Sequence, residues 1–280
     1  MASALPTRAT WSNNAALRSD CPAISSHPWE YNSIAHWNYI ICGGCPPART
    51  DPPDGESMNS CNRLPCAHEV LAVFAHPDDE SFGLGAVLGD FTAQGTRLRG
   101  LCFTHGEAST LGRTDRNLGE VRREELAAAA QVLGVDHVQL LAYPDNGLAQ
   151  IPLNELTQRV VDALAGADLL LVFDDNGVTG HPDHRRATEA ALAAASTPGI
   201  PVLAWALPQP IADRLNAEFS ASFGGRGHGH LDIMIEVDRS RQLAAIGCHF
   251  TQSADNPVLW RRLELLGDRE YLRWLRRSVP

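Results

Sequence analysis

Short apolar runs alternate along this chain with stretches in which apolar residues recur every three or four positions. The alternation begins abruptly near Ala67. The runs at residues 70–75, 98–104, 138–142, 169–173, 202–206 and 233–237 predict strands, bounded by polar and glycine-containing turns. Residues 81–94, 118–133, 153–164, 182–195 and 239–249 predict helices, the second of them strengthened by the helix-favouring run from Leu126 to Ala130. Strand and helix taking turns in this way predict an α/β domain around a largely parallel sheet. No internal repeat is visible.

Residues 1–67 break the pattern. They are rich in Pro, Ser, Asn, Gly and Cys and carry no sustained period, so they read as a poorly ordered N-terminal extension to a domain spanning residues 68–280. Five of the seven cysteines lie in that extension, leaving Cys102 and Cys248 for the domain, which excludes a disulfide framework there. Cys42 and Cys45 form a Cys-x-x-Cys pair with no second pair at suitable spacing. The pair is read as part of the poorly ordered extension; a sharper hypothesis is that Met58 is the true start and the preceding segment an artefact or a leader.

Charge and hydropathy narrow the function. The 33 acidic residues outnumber the 23 basic ones, for a formal charge of -10, and no basic stripe interleaves with aromatics. Nucleic acid is therefore not an expected partner. No window has the apolar length of a membrane span, and the first thirty residues lack the apolar centre of a signal peptide, so a cytoplasmic location is expected.

Two clusters carry the candidate chemistry. Ala75-His-Pro-Asp-Asp-Glu80 follows the first apolar run and opens a helix; Gly180-His-Pro-Asp-His184 follows the fourth and also opens a helix. In parallel sheets, ligands gather beyond the carboxyl ends of the strands, where both clusters fall. A catalytic zinc ion takes three nitrogen and carboxylate ligands and leaves one place open, a need that two histidines and an aspartate meet. A further carboxylate beside them, such as Asp78, suits a general base. The competing reading is that Asp78, Asp79 and Asp183 only cap helices. Gly83-Leu-Gly85 fails as a dinucleotide fingerprint, since Leu88 stands at the third glycine position.

These motifs resemble the LmbE-like, or PIG-L, family of zinc-dependent N-acetylglucosaminyl deacetylases over roughly residues 68–252. The likeness rests first on Ala75-His-Pro-Asp-Asp-Glu80 and on Phe173-Asp-Asp-Asn-Gly-Val-Thr-Gly-His-Pro-Asp-His184. Thr104-His-Gly-Glu107, Arg122-x-x-Glu125-Leu126, Tyr143-Pro-Asp-Asn-Gly147 and His249-Phe-Thr-Gln252 extend it. The resemblance implies a Rossmann-like three-layer sandwich with a metal site at the carboxyl ends of the strands. It further implies Zn2+ bound by His76, Asp79 and His184, with Asp78 as general base. His181 would stabilise the tetrahedral intermediate or protonate the leaving amine, and Arg122, Asp145 and His249 would contact the substrate.

The implied function is removal of an N-acetyl group from an amino-sugar-containing small molecule or glycoconjugate. An amidase acting on a larger N-acyl or thiol conjugate, and a zinc-stabilised binding module without turnover, are the alternatives. The sequence departs from some relatives at Thr179, where they place a tyrosine, and in the short segment between Asp145 and Asp168. Residues 106–117, with Arg113 and Arg116, form a candidate substrate loop. Gly224-Gly-Arg-Gly-His-Gly-His230 is expected to be a mobile loop, and His105 and His137 to be structural.

Overall fold

The computed structural model describes residues 61–112 and 114–277. Cys42, Cys45, Met58 and Arg113 lie outside the described residues. In chain order the elements are β1 (Glu69–Phe74), α1 (Asp79–Phe82), α2 (Gly85–Ala93), β2 (Arg97–Thr104), α3 (Leu118–Leu133), β3 (His137–Tyr143), α4 (Leu153–Ala163), β4 (Leu169–Phe173) and α5 (Pro182–Ser196). There follow β5 (Val202–Trp205), β6 (Leu207–Pro208), α6 (Gln209–Phe219), β7 (Gly225–Arg226), β8 (Ile233–Glu236), α7 (Ser240–Cys248), α8 (Phe250–Ser253), α9 (Pro257–Leu266) and β9 (Arg269–Arg276).

Seven strands form one sheet in the order β3-β2-β1-β4-β5-β9-β8. The first five are mutually parallel, whereas β9 runs antiparallel to both of its neighbours. Every residue of β1 and β4 is buried, as expected of strands covered on both faces. Side-chain alternation divides them: Leu71, Val73, Leu170 and Val172 pack with Leu156 and Val160 of α4 and the alanines of α5. Val70, Ala72, Leu169 and Leu171 pack on the opposite face with Val87, Leu88 and Phe91 of α2 and Leu126 and Leu133 of α3. The result is the expected three-layer α/β sandwich.

Of the longer elements, α6, α9 and β9 were not expected from the sequence, and neither were the short β6, β7 and α8. Strand β9 is the most informative of them. It reads as polar, but its charges have partners inside the fold. Glu270 accepts from Trp205 Nε1 at 2.7 Å and from Arg239 Nη1 at 2.5 Å, and Arg273 pairs with the buried Asp174 at 2.8 Å. The helix expected over residues 81–94 is instead broken at Gly83-Leu84, between α1 and α2. A Cβ at Gly83 would come within 2.5 Å of the Phe173 ring, so this position brings backbone and ring into close approach. The expected mobile loop at residues 224–230 contains β7, paired to β6, and a short 3₁₀ turn. Arg226 anchors it by bonding Asp174 at 2.5 Å. No helix among the described residues is long and apolar enough to cross a membrane.

Phe91 is fully buried in α2. Phe91→Ala is expected to lower the free energy of unfolding by about 3–5 kcal/mol, the usual cost of an aromatic-sized core cavity. Urea unfolding followed by tryptophan fluorescence checks this, and an unchanged midpoint would show that α2 is not part of the cooperative core.

Candidate metal centre

Strand order reverses between β1 and β4: the chain steps from β1 outward to β2 and β3, then returns to place β4 on the other side of β1. Such a reversal leaves a crevice beyond the strand ends, because the two connections leave in opposite directions. The turn after β1 delivers His76, Asp78 and Asp79, and the loop after β4 delivers Thr179, His181 and His184.

Three of these residues converge. Asp79 Oδ1 lies 3.1 Å from His184 Nε2, Asp79 Oδ2 lies 3.6 Å from His76 Nδ1, and the two ring nitrogens are 3.2 Å apart. Two ligands each 2.0–2.1 Å from one tetrahedral ion stand roughly 3.3 Å apart, so the two ring nitrogens and an Asp79 oxygen can share one coordination shell. All three side chains are buried.

Each ligand is held by groups behind it. The backbone N–H groups of Ala75 and His76 donate to Asp79 Oδ2 at 3.1 and 2.9 Å. His184 Nδ1 lies 3.1 Å from the Gly177 carbonyl and 3.0 Å from Thr179 Oγ1. Donation from Nδ1–H to that carbonyl leaves the Nε2 lone pair facing the cluster. His76 Nε2 has Asp145 Oδ1 at 3.1 Å and the buried Asp183 Oδ2 at 3.6 Å, although neither oxygen is aligned for a hydrogen bond. Burial opposes a charge on His76, yet contacts with Asp145, Asp183 and Asp79 raise its pKa well above the usual imidazole value. Burial likewise favours a neutral Asp79, but His184 and His76 hold its carboxyl well below the usual range. A pocket that stabilises positive charge at His76 and negative charge at Asp79 is electrostatically suited to a cation.

Asp78 stands beside the cluster in a strained conformation, with φ at 127° in a region that residues other than glycine rarely enter. Several bonds hold it there. Its N–H donates to Glu80 Oε2 at 3.0 Å, its carbonyl accepts from Ser81 and Phe82 at 3.0 and 2.7 Å, and its carboxylate accepts from Arg122 Nη2 at 2.8 Å. Burial pushes the Asp78 carboxyl up to about 6, against the pull of Arg122. Arg122 also donates to the carbonyls of Gly106 and Pro77. A Cβ at Gly106 would fall 2.0 Å from Arg122 Nη1, so glycine is required for the loop to pass this close.

The other sequence candidates divide. Arg122 lines the cavity but is only 3% exposed and spends its donors on Asp78 and two carbonyls, which makes it a positioning group. Asp145 lines the cavity too, and its Oδ2 accepts from Ala108 N–H at 2.9 Å, tying down the candidate substrate loop. His249 departs from expectation. It is fully buried, it does not line the cavity, and its Nε2 lies 2.6 Å from Glu80 Oε1, so it braces Glu80 and through it the Asp78 turn instead of reaching a substrate. His181 lines the cavity, with Nδ1 accepting from Asp183 N–H at 3.2 Å and Nε2 lying 3.0 Å from Asn146 Oδ1. That arrangement places the proton of the neutral ring on Nε2. Burial and the imidazoles of His76 and His184 lower its pKa. His105, His137, His228 and His230 stand outside the cavity.

Sequence reasoning missed Asn146, Asp183 and Glu80 as parts of the site. Asp183 and Glu80 sit inside the two motifs, where a buried acid next to a ligand histidine was a usable signal. Asn146 gave none beyond its neighbour Asp145. Asn146 lines the cavity, which has a volume of about 490 Å³, with Phe82, Leu111, Phe223, Val258 and Leu259 forming its apolar wall.

Known proteins resemble this chain in sequence or in fold to different degrees. The family described as GlcNAc-PI de-N-acetylase, PIG-L, matches residues 71–195. The 1D-myo-inositol 2-acetamido-2-deoxy-alpha-D-glucopyranoside deacetylase of Corynebacterium glutamicum is 32% identical over 201 residues, covering 62% of this chain and 68% of its own. Among solved structures, the N,N'-diacetylchitobiose deacetylase of Pyrococcus horikoshii aligns with a TM-score of 0.55 at 21% identity, over 75% of this chain and 84% of its own. The 4-carboxy-2-hydroxymuconate hydratase GalB of Pseudomonas putida KT2440 aligns at 0.59 and 18%, over 76% and 98%. A hydratase and a deacetylase on one fold show that the fold alone does not choose the reaction. The curated relative and the matched family model do settle descent: the chain belongs to the PIG-L, or LmbE-like, family.

Proposed function

We propose that the chain hydrolyses the N-acetyl amide of an amino-sugar-containing small molecule or glycoconjugate, using zinc held by His76, Asp79 and His184. The observation that carries this reading is the convergence of His76, Asp79 and His184, whose side chains approach pairwise to 3.1–3.6 Å, beside a carboxylate that is not needed as a ligand. A structural zinc site closes all four positions and has no use for such a base, so turnover is favoured over a binding role. Two imidazoles and one carboxylate suit zinc and also accept other divalent ions. The volume of about 490 Å³ lies within the range of small-ligand pockets, which supports an amino sugar carrying a further substituent.

A bound metal supplies Lewis acidity toward the amide carbonyl and toward water. The protein's own groups supply the rest. Asp78 accepts the proton of the attacking water, with Arg122 fixing the orientation of its carboxylate. As the amide carbon becomes tetrahedral, His181 Nε2–H exchanges Asn146 for the developing oxyanion. The tautomer set by Asp183 N–H favours this role for His181 over that of acid. Protonated Asp78 then returns its proton to the amine nitrogen as the C–N bond breaks, releasing acetate and a free amine. The Asp145 and Asp183 carboxylates, 3.1 and 3.6 Å from His76 Nε2, add negative charge beside that imidazole.

His76→Ala and His184→Ala are expected to lose metal and acetate release together. Elemental analysis of the purified variants, alongside an acetate assay over a panel of N-acetylated amino sugars and longer N-acyl analogues, reads both quantities. A wild-type chain that releases acid from none of the panel would move the non-catalytic alternative ahead, and a preference for the longer acyl groups would favour the amidase.

Asp78→Asn should keep its metal and lose turnover by at least ~100-fold, as should His181→Ala, in line with the loss of a group that moves or donates a proton. Single-substrate kinetics with metal content measured on the same samples tests this. Turnover within a factor of a few of wild type for Asp78→Asn would remove it as the base.

A further inference from the structure

Helix α9 presents Val258, Leu259 and Arg262 to the cavity that holds the ligand cluster. Their spacing of one, three and four positions places them on one face of the helix. Arg262 is 5% exposed, and its neighbours are unusual for a buried cation. Nη2 donates to the Phe82 carbonyl at 2.5 Å, and Nε is buried with no acceptor. No carboxylate pairs with this guanidinium among the described residues. Glu270, an acid whose charge reaches Arg262, is already engaged by Trp205 and Arg239. The guanidinium carbon sits 5.1 Å from the Trp205 ring centroid, which supports a cation but does not neutralise it.

A buried charge without a partner is expensive, and removing one member of a buried pair normally destabilises a fold. The contrast with Arg122 is informative: that arginine also lines the cavity but is matched by Asp78. Asp78, Asp79 and Asp145 make the wall near the ligand cluster acidic, which would repel an anion there. Arg262 is the contrasting case, a cavity-lining cation that feels Glu270, Asp79 and Asp78 only at a distance and forms an ion pair with none of them.

We propose that Arg262 receives an anionic group, a carboxylate or a phosphate, carried by the substrate on the part that extends beyond its N-acetylated sugar. This assignment rests on the deacetylase reading above and adds the substrate class to it. A guanidinium binds either anion through paired N–H donors, a geometry that a point charge does not reproduce. Gln252 and Asn256 line the same cavity, with their amides bonded to Ser109, Thr251, Leu259 and the Gln252 carbonyl, so Arg262 is the cation of that wall.

The test uses the full-length, metal-loaded chain and three glycosides of N-acetylglucosamine that differ only in the aglycone: methyl, carboxymethyl and 2-phosphoethyl. The wild type is expected to favour at least one anionic glycoside over the methyl glycoside in kcat/KM by roughly 10- to 100-fold, mainly through KM, the range of a hydrogen bond to a charged group. Which anionic arm gains identifies the carboxylate or the phosphate. In Arg262→Gln the ratio should collapse towards one, and in Arg262→Lys part of it should return. A merely structural role would change all three substrates together and leave the ratio intact. Equal rates in the wild type, or a ratio that survives in Arg262→Gln, would overturn the assignment. If no glycoside is hydrolysed, the deacetylase reading fails. Calorimetric titration of the carboxymethyl, phosphoethyl and methyl glycosides then decides Arg262 separately, because the same ratio is expected in Kd.

Discussion

The site depends on a constraint of topology. Two turns whose ligands are 108 positions apart in sequence can share one ion only because β1 and β4 are neighbours in a parallel sheet, paired Val70 to Leu169 and Ala72 to Leu171. Both strands are buried on both faces, so neither can slide by one residue without turning its apolar side chains onto the wrong layer. The helices above and below therefore fix the register, and the register fixes the distance between His76 and His184. Packing far from the crevice in this way sets the geometry inside it.

Within the crevice, charge does the remaining work. His76 alone is approached by three carboxylates, from Asp79, Asp145 and Asp183. Such a concentration of acid, buried with two imidazoles, holds together only when positive charge occupies the centre, as protons on the rings or as a metal. Asp78 is separated from that group by its neighbour Arg122 and by its backbone conformation. At φ 127° the chain turns sharply enough to point consecutive aspartates at different tasks, one inward to the ligand cluster and one toward Arg122. Strain of this kind costs of order 1–3 kcal/mol and persists only where surrounding bonds outweigh it. Here they come from Glu80, itself bonded to His249 and Ser81.

Much of this was legible before any coordinates. The apolar runs of β1, β4 and β5 are unmistakable because strands covered on both faces are apolar nearly throughout. The two motifs stood out because ligand chemistry needs particular residue types at the strand ends. What escaped the sequence had partners that only folding reveals. Arg269–Arg276 alternates charges with aromatics and leucines and looks like a surface segment until Asp174, Arg239 and Trp205 supply its bonds. His249 looked functional as a histidine in a family-like motif, yet burial beside Glu80 gives it a bracing role. Asn146 acquires its place only because a loop from the far side of the sheet meets the start of α5.

The position of β9 in the sheet has a consequence for how the chain matures. This strand is inserted between β5 and β8, and its Arg273 reaches back to Asp174 at the mouth of the loop that carries His184. During synthesis, at roughly 5–20 residues per second, Asp174 emerges seconds before Arg273 does. Until then the loop lacks one of its two counter-cations, and β5 presents an open edge. The amino-terminal half of the crevice can thus form early on the ribosome, whereas its other half is completed only by the arrival of the carboxy-terminal strand. Ordered assembly of this type delays a finished crevice until β9 has been made.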